Sequence, residues 1–240
     1  MMSEAPAYRP LYRQVYDIIV KKVAEGAWRP GEALPSEQAL ARELGVSQGT
    51  VRKVLDALTA ENLMERRQGK GTFLAENTQD RTLFRFFKMA RPGGDRVIPE
   101  SEGETVRVRA SRVAEQAKLD LSKGDKVVEI LRTRRIDGKP AIRETIILSA
   151  AMFPDFEKHA PLPNTLYSLY QTAYGLNIVM AKEELRPDLA AAEDERILGV
   201  PVGSPLLCVD RLALSLQDMK VEWRVSRIAT AGLVYAVSLS

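Results

Sequence analysis

Apolar positions recur at helical spacing through residues 8–75, and from Thr105 onward they alternate with polar ones. Leu11, Val15, Ile18, Ile19 and Val23 form one stripe, which predicts an amphipathic helix over Tyr8 to Glu25, stopped at Gly26 before the Pro30-Gly31 turn. Ala39, Leu40 and Leu44 form a second stripe. Ser36 stands in position to cap its free N–H groups, Glu37 suits the positive end of its dipole, and Gly45 suits its left-handed stop. Val51, Val54, Leu55 and Leu58 recur at i, i+3, i+4 and i+7, which predicts a third helix capped by Ser47. Leu63 and Met64 then open a strand. Arg66-Arg67-Gln68-Gly69-Lys70-Gly71 makes a basic tip, and Thr72, Phe73 and Leu74 return as a second strand.

Two short helices across a tight turn, followed by a basic glycine-rich hairpin, predict a winged helix-turn-helix and hence double-stranded DNA as a partner. The third helix presents Gln48, Gly49, Arg52 and Lys53 opposite its apolar face. The N-terminal residues of such a recognition helix are those that reach base edges in the major groove. The basic tip suits a phosphate backbone or a minor groove.

Residues 76–82 are polar and lack periodicity, so they read as a linker between a first domain over 8–75 and a second over 83–240. In the second, Val106, Val108 and Ala110 alternate with Arg107, Arg109 and Ser111, predicting a strand. Lys126 to Ile136 and Pro140 to Leu148 read as a hairpin about Asp137-Gly138. A helix is expected from near Asn164 to Gly175, and a further one from Asp188, as cap, to Leu198. Ser204 to Leu214 and Val221 to Ile228 read as two late strands. Runs of strands with a few helices between them predict an α+β domain on an antiparallel sheet.

Parity adds candidate chemistry. Val128, Ile130, Arg132, Arg134 and Ile136 share one strand face, and Glu144 shares its face with Ile142 and Ile146. Ionised groups are rarely buried unpaired. Three arrangements fit: the arginines line a pocket for an anion, they pair internally with Glu144 or Glu222, or Val127, Leu131 and Thr133 form the buried face and the arginines are solvated.

Composition narrows the function classes. Hydrophobic residues at 45% and charged residues at 28% give an ordinary globular balance in a 240-residue chain, enough for two domains. No apolar run spans a bilayer and Met1 to Pro10 lacks a signal-peptide pattern, so a cytoplasmic protein with no membrane partner is expected. Cys208 is the single cysteine, so no intrachain disulfide forms. Residues 1–80 carry no net charge, residues 81–143 carry +7 and residues 144–240 carry −4. The DNA-binding charge is therefore local, at Arg52, Lys53, Arg66, Arg67 and Lys70, and the positive stretch lies in the second domain, as solvated surface or as an attraction for an anion. His159 and Cys208 carry no catalytic signature, and neither a metal-ligand cluster nor a nucleotide loop is present. No catalytic residue, metal or cofactor is expected. The competing readings are an architectural DNA binder without effector response and, further off, a lyase-like enzyme.

The first domain resembles the GntR family of bacterial transcription regulators, through Leu11-Tyr12-Arg13-Gln14-Val15, Gly26, Pro30-Gly31, Leu34-Pro35-Ser36-Glu37, Leu44-Gly45-Val46-Ser47, Thr50-Val51-Arg52, Leu55, Leu58, Leu63 and Gly69-Lys70-Gly71-Thr72-Phe73. The resemblance implies a homodimer on a palindromic operator, with DNA contacts from Ser36, Glu37, Gln38, Ser47, Gln48, Gly49, Thr50 and Arg52, and from Arg67, Gln68, Gly69 and Lys70 in the tip. The family often has Arg where this chain has Gln38 and Gln48. Arg pairs bidentately with guanine and Gln with adenine, so a shifted operator is expected.

The second domain is similar to the UTRA effector domain of the HutC subfamily, which shares the chorismate lyase fold. The similarity rests on Arg132-Thr133-Arg134, Gly138-Lys139-Pro140, Glu144, Phe153-Pro154, Tyr174-Gly175-Leu176, Leu198-Gly199-Val200-Pro201, Ser204-Pro205-Leu206-Leu207 and Val221-Glu222. It implies a small, anionic metabolite as effector, held by Arg132, Arg134, Glu144, Glu222 and Arg224, that changes operator affinity. The family's Arg-x-Asp near the end is replaced here by Arg227-Ile228-Ala229-Thr230. Together the two resemblances imply a ligand-responsive repressor.

Overall fold

The structure, a computed structural model, describes residues 9–238, and the chain divides after Glu76 into two compact units. Tyr8, the expected start of the first helix and domain, lies outside the described residues.

In the first unit the amphipathic stripe folds as α1 (Leu11–Ala24), with Val15, Ile19 and Val23 buried. It packs with α2 (Glu37–Leu44) and α3 (Gln48–Ala60) around Leu40, Val51, Val54, Leu55 and Leu58. Local chemistry fixes the ends as expected. The Ser36 hydroxyl accepts from Ala39 N at 3.2 Å, the Ser47 hydroxyl accepts from Thr50 N at 3.1 Å, and Gly45 closes α2 at φ 64°. The left-handed stop is what lets α3 leave α2 after so short a turn. The wing pairs β1 (Met64–Arg67) with β2 (Gly71–Leu74) in the register Met64↔Leu74. The stretch before α2 also bonds to β2, through Leu34 N to Thr72 O at 2.8 Å and Leu74 N to Glu32 O at 2.9 Å.

The second unit opens with a difference from the sequence reading. Part of the expected linker is helical: α4 (Gln79–Phe86) is capped by Thr78 and packs with α6 (Leu166–Tyr174). The short strand β3 (Met89–Ala90) follows. The main sheet is built from β4 (Glu100–Ala110), β5 (Lys126–Ile136), β6 (Lys139–Ser149), β7 (Met180–Leu189), β8 (Pro205–Leu214) and β9 (Lys220–Ala229). Its order is β4-β5-β6-β9-β8-β7, antiparallel throughout, and β10 (Val234–Tyr235) pairs separately with β3. Asp137 and Gly138 both take positive φ, 51° and 74°, as a two-residue hairpin requires.

One sheet face buries Val128, Ile130, Ile146 and Leu148 against Phe153, Phe156, Tyr167 and Tyr170. The other carries α5 (Val113–Leu119), whose Leu119 packs with Val127, Ile147 and Trp223, and α7 (Ala192–Leu198), whose Leu198 packs with Leu206 and Ala190. Asp188 is therefore not a helix cap. It lies in β7, paired with Leu206, and α7 is closed instead by Asp194 accepting from Ala191 N at 2.9 Å. The strand β7 exposes Lys182, Glu184 and Arg186 on one face and Leu185 and Leu189 on the other because it is a sheet edge, and it contains Pro187, which edges tolerate.

Many basic residues of 81–143 are held in ion pairs within that stretch, and Lys118, Arg132 and Arg143 reach acids beyond it, at Asp210, Glu144 and Asp194. Arg109 binds Glu115 and Glu129, Arg107 binds Glu129, Arg135 binds Glu102, and Arg91 binds Asp137. Arg143 and Arg227 both bind the buried Asp194, which ties α7 to the sheet.

Candidate functional site

On the first unit, Gln38, Ser47, Gln48, Gly49 and Arg52 are exposed, and Thr50 is half-buried with its hydroxyl 2.9 Å from that of Ser47. They lie on α2 and at the start of α3, where a major groove would be read. At the wing, Gln68, Gly69 and Lys70 form the exposed tip, closed by Lys70 N donating to Arg67 O at 2.9 Å. The Arg67 guanidinium lies over the Phe73 ring at 4.2 Å. Lys53 lies over the Tyr12 ring at 5.3 Å.

Two expected contacts have another task in this geometry. The Ser36 hydroxyl is engaged as the α2 cap. Glu37 accepts from Arg52 Nε at 2.9 Å, from Gln48 Nε2 at 3.3 Å and from both terminal nitrogens of Arg66 at 3.1 and 3.2 Å. One carboxylate thereby ties α2 to the recognition helix and to the wing, and Arg66 reaches on to Asp56 at 2.7 Å. The Arg52 hydrogen bond, followed by those of Gln48 and Arg66, holds the Glu37 carboxyl below its ordinary range against the opposing effect of burial. A carboxylate facing phosphates is unfavourable, whereas one that aims two arginines is not. Arg66 enters the site as a clamped residue, a role the charge pattern alone did not distinguish.

On the second unit, the face carrying Arg132 and Arg134 is the buried one, at 2% and 3% exposure, while Leu131 on the opposite face is 40% exposed. Internal pairing and a cavity coexist there. Arg132 donates to Glu144 from Nε at 2.9 Å and from a terminal nitrogen at 2.7 Å, and Arg224 donates to the other Glu144 oxygen at 3.2 Å. Arg224 also grips Glu222 in a fork at 3.0 and 2.8 Å, and Tyr167 and Tyr170 donate to Glu222 at 3.1 and 2.7 Å. Arg134 is compensated least. It donates to the Pro99 carbonyl at 3.0 Å and to Asn164 Oδ1 at 2.8 Å, and it stands 3.9 Å from Glu144. Burial pulls its pKa down; Glu144 opposes this, while Arg132, Arg224 and Arg211 add repulsion.

These groups surround a cavity of about 50 Å³, room for roughly three or four waters. Its wall includes Arg132, Arg134, Glu144 and Arg224, and also Lys88, Arg211, Thr82 and Tyr167, which the sequence reading did not assign. Glu222 is not on the wall; it stands behind it and anchors α6 through the two tyrosines. Arg211 could have been found by the parity that exposed Arg132, since it shares a face with the buried Val209 and Ala213 on β8. Thr82 and Lys88 come from α4 and the stretch after it, and no periodicity marks them. His159 lies in a one-turn helix against Phe156 and Tyr174, and Cys208 is buried in β8. Among the described residues no group of acidic, His or Cys side chains could hold a metal ion, and no helix is long and apolar enough to cross a membrane.

Comparison with known proteins agrees with this division. Residues 11–74 match the model of the bacterial regulatory proteins of the gntR family, and residues 97–231 match that of the UTRA domain. The mannosyl-D-glycerate transport/metabolism system repressor MngR of Escherichia coli is 31% identical over 83% of this chain and 83% of its own. The histidine utilization repressor of Pseudomonas putida is 32% identical over 88% and 84%. The ligand-binding domain of a GntR-family regulator from Bordetella bronchiseptica superposes with a TM-score of 0.61 at 28% identity, covering 65% of this chain and 98% of that domain. These relatives are named as regulators and repressors, not enzymes. The chain belongs to the GntR family of bacterial regulatory proteins, in its UTRA-bearing HutC-like branch, and is a DNA-binding transcriptional regulator with a domain for a small-molecule effector.

Proposed function

We propose that this regulator is a cytoplasmic homodimeric repressor that binds a palindromic operator and is modulated by a small anionic metabolite held in the arginine-lined cavity. The observation that carries the effector half is that cavity. Four arginines and Lys88 face three carboxylates, Glu144 on the wall and Glu183 and Glu222 behind it, which leaves an excess of two positive charges in a buried site. An anion entering there removes an electrostatic cost that the empty cavity carries. Arg132, Arg134, Arg211 and Arg224 form its cationic wall. Glu144 orients Arg132 and Arg224, Asn164 and the Pro99 carbonyl hold Arg134, and Glu222 fixes Arg224.

For the operator half, Gln38, Gln48, Gly49, Thr50 and Arg52 read the major groove and the tip from Arg67 to Lys70 follows the backbone, with Ser36, Glu37 and Ser47 holding the frame. A dimer would set two recognition helices about 34–36 Å apart, one turn of DNA. Each phosphate contact adds to the salt dependence of the affinity, and a dimer doubles the few contacts that one subunit makes. The test is a footprint of the purified protein on the DNA upstream of its own gene and on neighbouring promoters. Protection of a short palindrome supports the reading, and the protected operon nominates the effector. Failure to protect any site at low salt, with protein refolded free of bound ligand, would sink it.

A further inference from the structure

Away from the cavity, the main sheet ends in a long open edge. The strand β7 closes the order β4-β5-β6-β9-β8-β7, and among the described residues it pairs with β8 alone. Ala190 N donates to Ser204 O at 2.8 Å in continuation of the β7–β8 register, so the even-numbered residues bond to β8. The odd-numbered ones, Ala181, Glu183, Leu185, Pro187 and Leu189, turn their backbone groups outward, and Pro187, which has no N–H, stands where β8 needs none. Leu185 and Leu189 are 43% and 63% exposed. On the other face the side chains of Lys182, Glu184 and Arg186 are exposed and make no ion pair or hydrogen bond among the described residues, while Asp188 is half-buried beside Arg227. An open edge of this length is a template for another strand unless its sequence forbids one.

We propose that β7 is where two copies of this chain join, edge to edge and antiparallel about a twofold axis at Leu185. The inference rests on the homodimer reading above and names its interface. Charge order selects the register. Along one face β7 reads Lys182, Glu184, Arg186, Asp188, and turning the strand about Leu185 sets each charge against its opposite. Glu184 then faces Arg186 of the second copy and Lys182 faces its Asp188, each pair occurring twice. These even-numbered residues fall in the pairs without mutual hydrogen bonds, where side chains approach most closely. Moving the axis by one residue sets like charges together. An axis at Glu184 opposes Glu184 to itself and Lys182 to Arg186, and an axis at Arg186 opposes Arg186 to itself and Glu184 to Asp188. Like charges directly opposite are destabilising. An axis at Glu183 or Pro187 shortens the paired length, and the second lays two prolines without N–H groups on each other. With the axis at Leu185, Leu185 meets its own copy and Ala181 meets Leu189 on the other face. Pro187 faces Glu183, which leaves one carbonyl of Glu183 in each copy without a ladder partner but open to water.

The experiment is sedimentation velocity of the full chain across a dilution series, with charge reversals at the edge. Glu184→Arg or Arg186→Glu alone turns two attractive pairs into two repulsive ones and raises the dimer dissociation constant about tenfold or more. The double variant Glu184→Arg/Arg186→Glu rebuilds the pairs with the signs exchanged and recovers the dimer. Both side chains are exposed and unpaired within the protomer, so far-UV circular dichroism stays unchanged. Leu185→Cys gives a second readout. Facing residues at such a position have Cα atoms about 5.5 Å apart, within disulfide reach, and the native Cys208 is buried, so mild oxidation links the variant into a covalent dimer. A dimer indifferent to both single reversals, with Leu185→Cys left unlinked, overturns this interface and leaves the homodimer reading standing. Weakening by both single reversals without recovery in the double variant overturns the register. A wild-type chain that is monomeric throughout the series sinks both readings.

Discussion

Glu144→Gln tests the electrostatic account of the second unit most directly, because it keeps the shape and one acceptor and removes only the charge. In the wild type that charge lies 2.7 Å from Arg132, 3.2 Å from Arg224 and 3.9 Å from Arg134, all at 7% side-chain exposure or less. After substitution Arg224 still has Glu222. Arg132 keeps only the carbonyls of Pro163 and Asn164, at 3.4 and 3.3 Å, beside the amide. Removing one partner of a buried pair costs about 3–5 kcal/mol, and the surviving Arg224–Glu222 fork places this case near the lower end. With a urea slope of roughly 2 kcal/mol per molar, the midpoint of the second unit falls by about 1.5 M. One tryptophan lies in each unit, Trp28 and Trp223, so fluorescence in a Trp28→Phe background reports the second unit alone.

The pH dependence carries a second check. Burial works to raise the Glu144 pKa, but Arg132, Arg224 and Arg134 together prevail and hold it far below the ordinary glutamate value. A carboxyl depressed on folding contributes stability that is fully present above its unfolded pKa, near 4.3, and is lost as pH falls towards the folded one. The gap between wild type and Glu144→Gln should therefore be flat from about pH 5 to 8 and narrow below about pH 4. A gap under about 1 kcal/mol at pH 7, or one that widens on acidification, would refute the claim that this carboxylate compensates the arginines.

Three further outcomes follow from the first unit. Gln48→Arg should move the preferred base at its operator position from adenine to guanine in a randomised-site selection, and an unchanged preference would remove Gln48 from base reading. Glu37→Gln frees Arg52, Arg66 and Gln48, so discrimination of operator over random DNA should fall on the order of tenfold while random-sequence binding holds or rises. Equal losses on both DNAs would make Glu37 merely structural. Gly45→Ala should cost about 1–2 kcal/mol by Trp28 fluorescence, because φ is 64° and a Cβ there meets nothing within 4 Å, so the penalty is conformational alone.

What was legible in the sequence was what local physics decides. Ser36, Ser47 and Gly45 act within one turn of themselves, and Asp137-Gly138 specifies its own hairpin, so the winged unit and the β5–β6 pair could be placed from residues alone. The burial of the Arg132 and Arg134 face was legible only as one of three arrangements, because parity says which residues share a face and not which face is covered. The misses are tertiary. The edge strand β7 presents Lys182, Glu183, Glu184, Arg186 and Asp188 without a buried stripe, so it gives no strand signal and its last acid mimics a helix cap. The helix α4 is a short polar stretch whose helicity depends on packing against α6, and only that packing brings Thr82 into the cavity. Nor could the sequence show that Glu37 has three partners on α3 and the wing, up to 29 residues away.

The placement of α4 also bears on how an effector could change operator affinity. A ligand shifts an equilibrium only by the difference in its affinity for the two states, so it must touch something whose position differs between them. On the effector reading proposed above, α4 meets that requirement. It begins at Gln79, just past Glu76 where the first unit ends, and it supplies Thr82, Leu83 and Phe86 to the cavity wall. The start of this segment is itself held to the second unit by Asn77 N donating to Gln171 Oε1 at 2.8 Å. A ligand that touches both β5, through Arg132 and Arg134, and α4, through Thr82, Leu83 and Phe86, would stabilise one position of this helix over others. Coupling of about 1–3 kcal/mol, equal to about 5–150-fold in operator affinity, lies within the reach of one such bridge. A ligand held by Arg132 and Arg134 alone would bind equally well wherever α4 stood. It would occupy the protein without regulating it, and so on this reading it is contact with α4, beyond the arginines, that would turn binding into response.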